Sequence, residues 1–149
     1  MTISTPVTRV TNILKNAGYR ELEVPFSIAS IPFNFAAALV GTDKNPDLIV
    51  VIDTVQDADI RARQKIDSLG RALDVVKSRR PVTAILTGPR PSDSVIEGMG
   101  RVCRVLPIGT PTGDSADQYI QDWLAVLLPL TLPDTNKTVA DTDFELISA

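Results

Sequence analysis

The sequence predicts an α/β fold in which a mixed β-sheet is flanked by helices. Apolar residues recur at helical spacing in four segments, and short apolar or β-branched runs lie between them. Strands that follow the long central helix need crossover connections, so part of the sheet should be parallel. The predicted order of elements is α-β-β-β-α-β-α-β-α, followed by an acidic tail.

The first half of the chain is expected to contain one helix and three strands. Helical spacing predicts a helix over Val7–Ala17, preceded by the helix-starting pair Thr5-Pro6. An edge strand is expected near Leu22–Ile28 and a second strand over Phe33–Val40. The turn-forming segment "GTDKNPD" predicts a hairpin between this second strand and the buried run "LIVVIDT".

The second half of the chain carries the strongest helical pattern, over Asp57–Lys77. "VTAILTG" and "VCRVLPIG" predict two strands, separated by a short helix that Ser92 or Ser94 caps. A last helix is expected over Asp117–Leu128, where Pro129 ends the pattern. The apolar stripe of the long helix should face the sheet and consists of Ala62, Ile66, Leu69, Leu73 and Val76.

Length and composition predict a single α/β domain over residues 1–133 and an acidic tail over 134–149. The chain has 149 residues, of which 44% are apolar, and no run approaches the ~20 apolar residues that span a membrane. The N-terminal residues lack the basic region and apolar stretch of a secretory signal. The single Cys103 fits a reducing compartment, so a cytoplasmic protein is expected.

The residue types present exclude several kinds of chemistry. The chain contains no histidine, which excludes Ser-His-Asp and Cys-His catalysis and, with one cysteine, a Cys/His zinc site. Metal chemistry would rest on carboxylate and backbone oxygens, which favour magnesium, manganese or calcium. Neither a GxxxxGK[ST] phosphate loop nor a GxGxxG dinucleotide motif after a strand occurs.

Charge is distributed unevenly along the chain. Residues 61–104 hold ten basic and four acidic side chains, whereas residues 105–149 hold one basic and seven acidic side chains. This distribution predicts either an anionic partner for the basic middle region or neutralisation of that region by the acidic end.

The order α-β-β-β-α-β, with a carboxylate near the end of the third strand, resembles the core of the PD-(D/E)xK nucleases, which share the restriction-endonuclease-like fold. The resemblance covers roughly Val7 to Ile108 and is one of order and pattern. In active members, an acid on the second strand and another on the third hold divalent metal. A lysine two residues after the third-strand acid helps to activate the attacking water. The resemblance implies magnesium or manganese as the cofactor of an active chain, and no cofactor otherwise.

Carried over residue by residue, the resemblance places Asp53 at the third-strand acid and Val55 at the lysine position. A valine side chain neither donates a hydrogen bond nor carries charge. Asn34 stands where the second-strand acid is expected, and a neutral amide binds metal more weakly. Some family members place the lysine, or a glutamine, on the following helix, which makes Lys65 and Gln64 candidates.

Each candidate residue also has a structural interpretation. Asp53 and Asp47 are candidate metal ligands, but Asp53 is also placed to bond backbone amides in "DTVQDAD", and Asp47 to form a turn. The basic candidates are equally consistent with a solvated helix face or with contacts to the C-terminus of the long helix. The candidates for nucleic-acid binding are Arg61, Lys65, Arg71, Arg79 and Arg80.

The resemblance and the missing lysine together imply a non-catalytic subunit of a DNA-processing or phage-defence assembly. Its expected partners are another protein subunit and DNA, which the basic region 61–104 would contact, and no membrane. Two alternatives stay open: an active magnesium- or manganese-dependent DNA nuclease with a rearranged site, and a protein-interaction module with no nucleic-acid role. The tail is expected to dock through Phe144, Leu146 and Ile147 on this domain or on a partner.

Overall fold

The computed structural model describes residues 5–41 and 47–127. The tail, with Phe144, Leu146 and Ile147, lies outside these residues. None of the helices within them is long and apolar enough to cross a bilayer. The elements are α1 (Pro6–Asn16), β1 (Arg20–Glu21), β2 (Phe26–Ile28), β3 (Ile31–Phe33), β4 (Ala37–Val40), β5 (Leu48–Asp53), α2 (Asp59–Val75), β6 (Val82–Thr87), α3 (Asp93–Gly100), β7 (Arg104–Gly109) and α4 (Ala116–Leu124).

Five of the strands form one mixed sheet in the order β1-β4-β5-β6-β7. Strand β4 pairs antiparallel with both β1 and β5, whereas β5, β6 and β7 run parallel to one another. The predicted α/β class, the hairpin before β5 and the parallel half of the sheet are confirmed. Helix α1, the meander β1-β4-β5, helix α2 and strand β6 follow the order that the family resemblance implies.

Of the edge strand expected over Leu22–Ile28, only Phe26–Ile28 forms a strand, and it does not belong to the main sheet. The edge strand β1 lies earlier, and only the backbone N–H of Leu22 continues its pairing, with the Ala38 carbonyl at 2.8 Å. Strand β2 pairs instead with β3 in a separate two-stranded sheet. Pro25 lacks the backbone N–H that a continuing ladder needs, which separates the two strands.

The strand expected over Phe33–Val40 is divided for a packing reason. Phe33 belongs to the β2–β3 hairpin, whereas the sheet strand β4 begins only at Ala37. The rings of Phe26, Phe33 and Phe35 form a cluster with centroids 5.9 to 6.3 Å apart. This cluster holds the hairpin against the core beneath α2.

The sheet is buried on both faces, which explains the unbroken apolar run of β5. Leu48, Val50 and Ile52 join the core beneath α2 and α3, whereas Ile49 and Val51 join the core beneath α1 and α4. On α2 the buried residues are Ala62, Ile66, Leu69 and Ala72. Leu73 is only half-buried, and Val76 lies past the helix end with 48% of its surface exposed, so the predicted stripe was one turn too long.

Candidate functional site

The carboxyl ends of the parallel strands bring three loops together. Asp53 ends β5 opposite Thr87, the last residue of β6. The hydroxyl of Thr54 lies 2.8 Å from the Thr87 carbonyl oxygen and 2.6 Å from that of Pro89. The backbone N–H of Gly88 donates to the carbonyl oxygen of Gly109, the last residue of β7, at 3.0 Å. These bonds link the ends of β5, β6 and β7 at the edge where open α/β sheets usually bind ligands.

Asp53 acts as a cap at the end of its strand. One oxygen of its carboxylate accepts the backbone N–H of Val55 at 2.9 Å. Its backbone carbonyl accepts the N–H groups of Gln56 and Asp57 at 3.0 and 2.9 Å. The structural interpretation of Asp53, a bond to backbone amides of the following turn, is thus confirmed.

Lys65 lies in the corner formed by the end of β5, the turn that follows it and the first turns of α2. Its ammonium group contacts three neighbours. Its ammonium nitrogen is 2.6 Å from a carboxylate oxygen of Asp57 and 2.6 Å from the backbone carbonyl oxygen of Asn34. It also stands 5.7 Å from the centre of the Phe35 ring. The Lys65 and Asp57 side chains are 26% and 16% exposed, so this ion pair is largely withdrawn from solvent.

Asn34 and Gln64 do not complete a metal site around Asp53. Asn34 lies between β3 and β4 and contributes only its backbone carbonyl to the corner. The regular β4–β5 pairing ends at Ala37 opposite Val51, where the backbone N–H of Ala36 also bonds the Val51 carbonyl oxygen at 2.9 Å, so the ladder does not continue in register to Asp53. Gln64 is exposed on α2, about 100° around the helix axis from Lys65.

Asp47 and Asp53 cannot share a metal ion. They lie at opposite ends of β5, six positions apart, which corresponds to about 20 Å. Within residues 5–41 and 47–127, no three acidic, cysteine or histidine residues are grouped so that they could hold a cation. Asp57, the other carboxylate near Asp53, is engaged by Lys65. The donor set at this corner therefore does not fit the divalent metal site of the active family members.

The predicted nucleic-acid-binding residues are divided between the two ends of α2. Arg61 and Lys65 lie in its first turns, near Asp53. Arg71 lies ten residues after Arg61, about 15 Å along the helix axis, and Arg79 and Arg80 follow the helix. The structure thus does not bring all five residues onto one surface.

A cleft of about 640 Å³ opens at the amino ends of the parallel strands, between the last turns of α2 and the α3–β7 connection. Its lining includes Arg71 and Arg80, two of the predicted residues, together with Arg101 and Arg104. We call this cleft, which contains the four arginines, the arginine cleft. Sequence reasoning missed the latter two as binding residues because they flank the short apolar sequence "VC" and their proximity to α2 depends on the β6–β7 register.

Cys103 also lines the arginine cleft. Burial raises the pKa of its thiol to about 11. The thiol therefore stays protonated at neutral pH and adds no negative charge to the cleft.

No family model matches the chain, and no curated protein matches it. Among solved structures, the chain is similar to the EndoMS–dsDNA2 complex, with 15% identity and a TM-score of 0.48. The match covers 76% of this chain and 48% of that chain, so this chain spans about half its length. At this identity and TM-score, the likeness carries no argument about function.

Proposed function

We propose that this chain is a non-catalytic, DNA-binding subunit of a larger DNA-processing or phage-defence assembly. The observation that carries the non-catalytic part is the position of Lys65, the one helix lysine that was a candidate to replace the strand lysine. Its ammonium group is occupied by Asp57 and by the Asn34 carbonyl oxygen, both at 2.6 Å. An ammonium held in this way has little freedom to position a water molecule for attack on phosphate.

The surroundings of Asp53 support the same conclusion. Val55 occupies the strand position of the missing lysine and is 68% exposed. Among the described residues, no three acidic, cysteine or histidine side chains are grouped so that they could hold a metal ion together with Asp53. The DNA-binding part of the proposal is supported by the excess of basic side chains in residues 61–104, four of which surround one cleft.

We expect the purified chain to leave supercoiled and linear DNA intact in the presence of magnesium or manganese. The measurement is a nicking assay of the wild-type chain beside Asp53→Asn, which removes the only carboxylate at the end of β5. The two proteins should be indistinguishable from a reaction without protein. Cleavage by the wild type that Asp53→Asn abolishes would instead establish an active nuclease with a rearranged site.

We expect Lys65→Met to lower the free energy of unfolding by about 1.5–3 kcal/mol. Methionine retains the apolar stem, but the substitution leaves a largely buried Asp57 carboxylate without its cation and the Asn34 carbonyl without its donor. Urea denaturation measures the loss.

The matched control for Lys65→Met is Lys15→Met. Lys15 pairs with Glu21 at 3.4 Å, and these side chains are 50% and 44% exposed. Loss of such a surface pair costs about 0–1 kcal/mol. Equal losses in the two variants would mean that Lys65 is an ordinary surface lysine and is free for another role.

A further inference from the structure

The arginine cleft carries an inference that rests on the proposed function and extends it by assigning a binding site. We infer that this cleft binds the phosphate groups of a nucleic-acid strand, at the end of the sheet opposite Asp53. The arginines converge from four parts of the chain: Arg71 lies on α2, Arg80 in the loop that follows it, Arg101 in the α3–β7 connection and Arg104 at the start of β7.

Three of the four arginines in the cleft have no ion-pair partner among the described residues. Arg71, Arg101 and Arg104 are exposed and form no salt bridge with any residue that the structure describes. Within the part of the chain that the structure describes, the side chain of Arg71 makes one hydrogen bond, a 3.4 Å contact with the Ser68 hydroxyl. Planar guanidinium groups with unused N–H donors are suited to bidentate contacts with phosphate oxygens.

The C-termini of α2 and α3 are the other groups that could require these arginines. Backbone N–H groups already cap them. The Ser78 N–H donates to the Leu73 carbonyl oxygen at 2.9 Å, and the Cys103 N–H donates to that of Met99 at 3.1 Å. The arginine side chains are therefore not needed to satisfy the last carbonyl groups of α2 and α3.

Size and lining agree with a nucleotide-sized ligand. A volume of about 640 Å³ lies in the range of pockets that bind small ligands, so it fits one or two nucleotide units of a strand better than the width of a duplex. Three carboxylates, those of Asp47, Asp67 and Asp74, also line the cleft. Arg63 partly offsets Asp67, with a 3.7 Å ion pair, whereas Asp74 has no such partner among the described residues.

Because both arginines and carboxylates line the cleft, substitutions of the two kinds should have opposite effects on phosphate binding. Arg101→Gln/Arg104→Gln removes two unpaired cations, and Asp74→Asn removes one opposing charge. If phosphate binds here, the first variant should weaken binding and the second should strengthen it. If nucleic acid bound elsewhere on the chain, these two variants would not show this pair of opposite effects on its affinity.

The experiment measures fluorescence anisotropy of a labelled single strand and of the matching duplex, with the full chain, over 50–300 mM salt, about the range over which phosphate contacts weaken. The double arginine variant should lose about tenfold or more in affinity at the lowest salt. The slope of log K against log salt should fall by roughly 1.4 for the single strand, because two phosphate contacts are lost. Asp74→Asn should bind at least about twofold more tightly, since it removes one like charge from the phosphates.

Arg20→Gln serves as the control, since this exposed arginine lies outside the basic region, on the edge strand β1. Strand β1 is three strands from β6, or about 14 Å, which exceeds a Debye length of about 10 Å at 0.1 M salt. It should retain wild-type affinity, and all variants should keep the wild-type unfolding midpoint. A parallel arm follows the effect of ADP on the unfolding midpoint, which reports phosphate binding independently of nucleic acid.

The outcomes separate the inference from the proposed function. Nucleic-acid binding that the double arginine variant retains would overturn the cleft while leaving the DNA-binding function in place. Absence of nucleic-acid binding by the wild type would overturn both the proposed function and the inference, and ADP stabilisation that the arginine variant loses would then reassign the cleft to a small phosphate ligand. Absence of both kinds of binding would overturn both.

Discussion

Replacing Leu69 with alanine should lower the free energy of unfolding by about 2–5 kcal/mol, the range for deletion of a buried leucine side chain. Leu69 is 1% exposed and belongs to the core between α2 and the sheet. The substitution removes apolar surface from this core and leaves a cavity that helix and sheet can close only by moving together. Urea denaturation should show a lower midpoint at an unchanged m-value.

Val75→Ala is the control for this prediction. Val75 is on the same helix but 70% exposed, so its truncation should change the free energy of unfolding by no more than about 0.5 kcal/mol. A loss below ~0.5 kcal/mol for Leu69→Ala would mean that α2 presents a different face to the sheet.

The parts of the fold that sequence alone predicted are those in which local pattern and tertiary packing agree. The stripe through Ala62, Ile66 and Leu69 has a helical period, and the same residues are buried. The hairpin of β2 and β3 was missed because its pairing depends on three phenylalanine rings that meet only after the chain has folded back. No periodicity marks such a cluster, and the prolines near it indicate only that a regular strand ends.

The candidate site was predictable to a smaller extent. The missing lysine at Val55 and the position of Asp53 at a strand end are visible in the sequence. The partner of Lys65 was not, because Asp57 lies eight residues away, in the turn before α2, and reaches the ammonium group only through the path of that turn. Arg101 and Arg104 join Arg71 at one cleft because parallel pairing brings the start of β7 beside β6, and such contacts have no local signature.

Gly88 provides the second large expected effect, because two separate constraints act on it. Its φ of +87° lies in the left-handed region, where a side chain of an L-residue costs about 1–2 kcal/mol. It is also buried, and a Cβ atom built on it would lie 2.7 Å from the hydroxyl oxygen of Thr54 and 3.3 Å from a carboxylate oxygen of Asp53. Overpacking of this kind costs roughly 1–3 kcal/mol.

Gly88→Ala should therefore lower the free energy of unfolding by about 2–5 kcal/mol, the two costs combined. Gly113→Ala isolates the backbone cost, since Gly113 has a φ of +88° but no heavy atom within 4 Å of its built Cβ. Gly100→Ala, in open space at the end of α3, should leave stability unchanged or raise it by up to ~1 kcal/mol. The excess loss of Gly88→Ala over Gly113→Ala then measures how tightly the loop after β6 packs on the Thr54 hydroxyl. Equal losses would mean that the loop after β6 shifts to accommodate the added Cβ atom. The hydrogen-bonded ends of β5, β6 and β7 would then not form a rigid structure.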